Sequence, residues 1–72
     1  MLVGDLIYND EFDCNCNYAI YDSSDGKQYG DGAELVFSTV RDGYGKPLNR
    51  ILDMKVSYIT IQESCLIIEA KH

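Results

Sequence analysis

Seventy-two residues, 46% of them apolar and 25% charged, fit one domain spanning 1–72 and exclude a multidomain or a disordered chain. A chain this short buries only roughly 60% of the surface it exposes when unfolded, which leaves little room for an enclosed catalytic pocket. The net charge of −6 argues against direct nucleic-acid binding, because phosphate contacts need clustered Lys and Arg.

The first residues, Met1-Leu2-Val3-Gly4-Asp5-Leu6-Ile7, have no basic region and no long apolar run, so neither a signal peptide nor a membrane anchor is expected. Leu2/Leu6 and Val3/Ile7 are spaced i, i+4 and predict a short helical turn, weakened by Gly4. From Cys14 the pattern alternates. Cys14, Cys16, Tyr18 and Ile20 share one face, and Asn15, Asn17, Ala19 and Tyr21 the other, as in a half-buried strand.

Asp22-Ser23-Ser24-Asp25-Gly26 is turn chemistry, after which Lys27-Gln28-Tyr29 is expected to continue a hairpin until Gly30-Asp31-Gly32 breaks it. Glu34 to Val40 is rich in β-branched and aromatic residues and apolar on both faces at its middle, which predicts a central strand. Asp42-Gly43-Tyr44-Gly45 ends it. Pro47 then opens a short helix carrying Leu48, Ile51 and Leu52 on one stripe. Val56 to Ile61 and Cys65 to Ala70 form a hairpin across a tight connection at Gln62-Glu63-Ser64. Charges at Asp22, Lys55 and Glu69 are candidates for guarding sheet edges. The sum is an α+β domain: a small curled antiparallel sheet of four or five strands with one or two short helices, an open barrel being the alternative.

Each chemical motif fails a spacing test. Asp13-Cys14-Asn15-Cys16-Asn17 starts like a calcium-binding EF-hand loop, but Tyr18 stands at the required glycine and Ser24 at the bidentate glutamate. Cys14, Cys16, Cys65 and His72 form a nominal zinc set, yet a C-x-C on a strand sets its thiols about 7 Å apart along the chain, and core filling is the simpler reading. Three cysteines without a secretion signal indicate a reducing cytoplasm. The one histidine, His72, ends the sequence, where a cysteine's catalytic base would be hard to hold in register. Gly43-Tyr44-Gly45-Lys46 lacks the length of a phosphate loop. No catalytic residue, metal ligand or cofactor is therefore expected, and the chain reads as a non-enzyme.

Charge and tyrosine carry the functional signal. Residues 1–34 hold eight acids against one base, Lys27, for −7; residues 35–72 hold four acids against five bases, for +1. Of six tyrosines, Tyr8, Tyr21, Tyr29 and Tyr44 fall where exposure is expected, three of them in the acidic half. Tyrosine offers a large rigid contact area with a polar tip. The expected binding face is Asp10, Glu11, Asp13, Tyr21, Asp22, Asp25, Tyr29 and Asp31.

Asn9-Asp10-Glu11-Phe12-Asp13-Cys14-Asn15-Cys16-Asn17-Tyr18, with Ile51-Leu52-Asp53-Met54-Lys55-Val56-Ser57-Tyr58-Ile59-Thr60-Ile61, resembles short uncharacterised acidic proteins of bacterial phages and conjugative elements. The resemblance implies an intracellular bacterial setting and a role in mobile-element biology. The leading expectation is a protein-binding module whose acidic, tyrosine-bearing half docks another protein with a basic surface, without direct nucleic-acid or membrane contact. The alternatives are a partial nucleic-acid mimic of the anti-CRISPR kind that inhibits a host protein, and a zinc or redox protein using its cysteines.

Overall fold

Residues 1–8 and 17–72 are described by the computed structural model. In chain order they form α1 (Val3–Ile7), β1 (Asn17–Asp22), β2 (Glu34–Ser38), α2 (Thr39–Asp42), α3 (Asn49–Leu52), β3 (Lys55–Gln62) and β4 (Cys65–Lys71). The four strands make one open sheet in the order β2-β1-β4-β3. The α+β class and the strand count agree with the sequence reading, and three short helices stand where one or two were expected.

Local chemistry explains most boundaries. Asp5 accepts the Leu2 N–H at 3.2 Å, which satisfies an otherwise unpaired donor at the start of α1. Gly4 has a positive reason to be there: a Cβ at that position would stand 3.3 Å from the Leu52 carbonyl oxygen, so glycine lets α1 lie close against the end of α3. Ser38 accepts the Val40 N–H at 3.2 Å and caps α2. That cap ends β2 two residues earlier than the β-branched run of Thr39 and Val40 suggests. Pro47 is buried ahead of Leu48, and α3 itself starts at Asn49.

Two corrections concern the sheet. The pairings β1–β2 and β3–β4 are antiparallel as expected, but β1 and β4 run parallel, with Ile20 opposite Ile68, so the sheet is mixed. β2 is an edge strand rather than a central one. The strand buried on both faces is β4, whose run Leu66 to Ala70 is wholly buried. A continuous apolar run is what a parallel, two-sided neighbour demands.

One face carries the core. Ile20, Phe37, Leu66, Ile68 and Ala70 from the sheet pack with Val3 and Leu6 of α1, Ile51 of α3, and Met54. Ile20, Ile68, Met54 and Val3 are the largest fully buried side chains. Two bulges bend the outer strands: Val36 falls between the pairs Ile20–Phe37 and Tyr21–Leu35, and Ser57 between Val56–Ala70 and Tyr58–Glu69. No helix among the described residues is long and apolar enough to cross a membrane.

The β3–β4 turn is strained. Glu63 (φ 53°) and Ser64 (φ 63°) both lie in the left-handed region, the requirement of a two-residue type I′ hairpin, yet neither is glycine. Ser64→Gly is expected to raise unfolding free energy by about 0.5–1 kcal/mol, read by urea denaturation with an unchanged slope.

Candidate docking site on the second sheet face

The face of the sheet away from α1 and α3 carries the candidate site. Strand alternation sends Ala19 and Tyr21 of β1, and Ile67 and Glu69 of β4, to this side. A bare sheet face would leave Ile67 and Ala19 wet, but both are buried. Cover comes in part from the β1–β2 connection, residues 23–33, which folds back over the strands instead of extending a hairpin. Lys27-Gln28-Tyr29 is therefore not strand.

The connection is held by specific hydrogen bonds. Ser24 N–H donates to the Asp22 carboxylate at 2.8 Å and Gly26 N–H to the Ser23 carbonyl at 3.0 Å, a turn that Gly26 closes with φ 87°. The buried Ser23 donates its hydroxyl to the Ala70 carbonyl at 3.2 Å. Further along, the Tyr29 N–H donates to Glu69 Oε1 at 2.9 Å. Glu69 is only 8% exposed, on one of the two inner strands. It guards no edge. Its carboxyl oxygen ties the connection to the sheet through this bond.

This latch splits the face into two depressions. One, of about 350 Å³, has Ala19, Ile67, Leu35 and Cys65 among its lining, with Tyr21, Tyr29 and the turn residues Gln62 to Ser64 around them. The rings of Tyr21 and Tyr29 meet edge to face, centroids 4.9 Å apart, which fixes both on one side of this trough. Burial raises the Tyr21 phenol above its ordinary pKa, with Tyr29 and Cys65 adding to the shift. The phenol stays protonated and can donate. The other depression, about 510 Å³, lies between Lys27, Ser57, Tyr58, Glu69 and Lys71, where cationic groups face a carboxylate.

Of the residues expected to bind, Asp10, Glu11 and Asp13 lie outside the described residues. Asp22, Asp25, Tyr29 and Asp31 fall in or beside the same connection, and Tyr21 packs against it. Tyr21 and Tyr29 are half-buried rather than exposed, because they pack on each other and on the sheet. Tyr8 and Tyr44 are exposed as expected, and so is Tyr58, which the strand pattern did not single out. Asp25 and Asp31 are exposed, whereas Asp22 is half-buried and engaged. Ser24 hydrogen bonding, with His72 Nε2 3.3 Å away, holds the Asp22 carboxyl below its ordinary value.

Of the nominal zinc ligands, Cys65 and His72 stand at opposite ends of β4, while Cys14 and Cys16 lie outside the described residues. Among the described residues no group of three His, Cys, Asp or Glu could hold a metal ion. The residue that sequence reasoning missed is Glu69. Its one signal is a carboxylate inside the apolar run Leu66-Ile67-Ile68-Glu69-Ala70.

Glu69→Ala is expected to speed hydrogen exchange at the Tyr29 amide and to cost about 1–3 kcal/mol in stability. Glu69→Gln keeps an acceptor oxygen and should hold Tyr29 protection near the wild-type level, as two-dimensional NMR exchange spectra would report. Comparison with known proteins adds no relative: no family model, no curated protein and no solved structure matches this chain.

Proposed function

We propose that this chain is a small acidic protein-binding module, not an enzyme, and that its partner docks over the Tyr21–Tyr29 trough. The observation that carries the reading is the pairing of those rings beside a groove floored by Ala19 and Ile67, on a connection that also bears Asp25 and Asp31. Rigid aromatic walls over an apolar floor supply contact area at little entropic cost, and a carboxylate rim selects a basic partner segment. The resemblance noted for the sequence favours a bacterial intracellular partner met during mobile-element biology.

A docking module fits better than a nucleic-acid mimic. Asp22 is engaged by Ser24 and His72, and Lys27 stands 3.9 Å from Asp25, so the acidic surface is interrupted where a phosphate-like array would be continuous.

The test compares baits in a bacterial host lysate: wild type, Tyr29→Ala, and the double variant Asp25→Asn/Asp31→Asn. A specific partner should be lost with Tyr29→Ala and weakened about tenfold by the double variant, one lost rim charge costing of the order of 0.5–1 kcal/mol. A partner retained equally by all three baits contradicts the reading. A partner released by moderate salt and displaced by duplex DNA or RNA, but indifferent to Tyr29, marks the mimic instead.

A further inference from the structure

We propose that two copies of this chain associate through their β3 edges, antiparallel about a twofold axis at Thr60, to form one continuous sheet. The inference does not rest on the docking trough, which opens on the face of the sheet opposite Ile59 and Ile61.

Backbone parity identifies the free edge. Val56 donates its N–H to the Met1 carbonyl at 2.8 Å, and Leu2 bridges Lys55, so the outer side of β3 is met at its first two residues. The Ser57 bulge then shifts the alternation by one. The two-residue turn requires Gln62 and Cys65 to be a hydrogen-bonded pair, which turns Thr60 inward as well. Both routes agree. The N–H and C=O groups of Ile59 and Ile61 face outward, and no described strand lies beyond them.

The side chains match that edge. Ile59 and Ile61 pair with Ile68 and Leu66, on the core face, yet are 42% and 75% exposed. An edge strand with two adjacent bare isoleucines and no proline or inward charge over Val56–Gln62 lacks the usual protection against pairing. The opposite edge is guarded: the Arg41 guanidinium donates to the Leu35 and Val36 carbonyls of β2 at 3.3 and 3.2 Å.

The occupant is a second copy because the strand is self-complementary. Antiparallel pairing about Thr60 sets Ile59 opposite Ile61 of the other copy, and each such pair exchanges both of its backbone hydrogen bonds. The four isoleucines of the two copies then meet on one face. In this register Glu63 falls opposite Ser57 of the other copy, and no like charges meet over residues 57–63. Among the described residues, Asp22, Asp25, Asp31 and Glu34 lie in or beside the β1–β2 connection, and β1 and β4 separate β2 from this edge. Such an interface is isologous and closed, so it stops at two.

Sedimentation equilibrium up to about 1 mM chain tests this, with Ile61→Lys as the disrupting variant and Val40→Lys, also 75% exposed, as the control beside β2. The wild type and Val40→Lys should form dimers, and Ile61→Lys should associate about tenfold or more weakly, because the dimer would bury its ammonium. In the wild type, exchange at the Ile59 and Ile61 amides should slow as concentration rises, a reading that does not depend on any variant folding. A wild type that stays monomeric, a dimer equally sensitive to both lysines, or a dimer with no added protection at Ile59 and Ile61 would overturn the proposal.

Discussion

The structure depends on β4 being buried on both faces. With β1 parallel on one side and β3 antiparallel on the other, Leu66 to Ala70 have no wet side. Ile68 and Leu66 meet the helices, which is ordinary core packing. Ile67 and Glu69 face the other way, and burying a carboxylate there is costly unless it is hydrogen-bonded. The Tyr29 N–H supplies that bond, and in doing so fixes the connection that covers Ile67. Core, latch and trough are thus consequences of one strand position.

Much of the fold was legible in the sequence. The i, i+4 pairs of the first residues, the alternation from Asn17 to Tyr21, and the β3–β4 hairpin all follow from local periodicity. The strand order did not, because hairpins β1–β2 and β3–β4 can dock side by side in either direction, and local pattern is blind to that choice. The apolar run of Glu34 to Val40 looked central because propensity measures fit to a half-buried surface rather than position in a sheet. Ser38 capping and the Val36 bulge decided otherwise. β4 carried the signal that was misjudged: a run apolar on successive residues marks the strand between two others.

The candidate site was legible in part. Asp25, Tyr29 and Asp31 were marked by composition, and they do share one connection, which starts directly after Asp22. Composition could not say that the Tyr21 and Tyr29 rings would meet edge to face, since that requires the connection to fold back. Nor could it mark Glu69, whose partner is a backbone N–H forty residues earlier in the chain. Charge asymmetry gains a spatial meaning in the sheet. Of the described acids, Asp22, Asp25, Asp31 and Glu34 lie in or beside the β1–β2 connection, while β3 carries no charge over Val56–Gln62.

The central claim is that β4 sits between a parallel β1 and an antiparallel β3, with Tyr29 latched to Glu69. An NOE spectrum of the labelled protein in solution tests it most directly. It should show parallel-type cross-strand contacts between Tyr18–Ile20 and Leu66–Ile68, and contacts from the Tyr29 amide to the Glu69 side chain. Close Hα–Hα contacts between β1 and β4, the mark of antiparallel pairing, or a Tyr29 amide remote from Glu69, would contradict it.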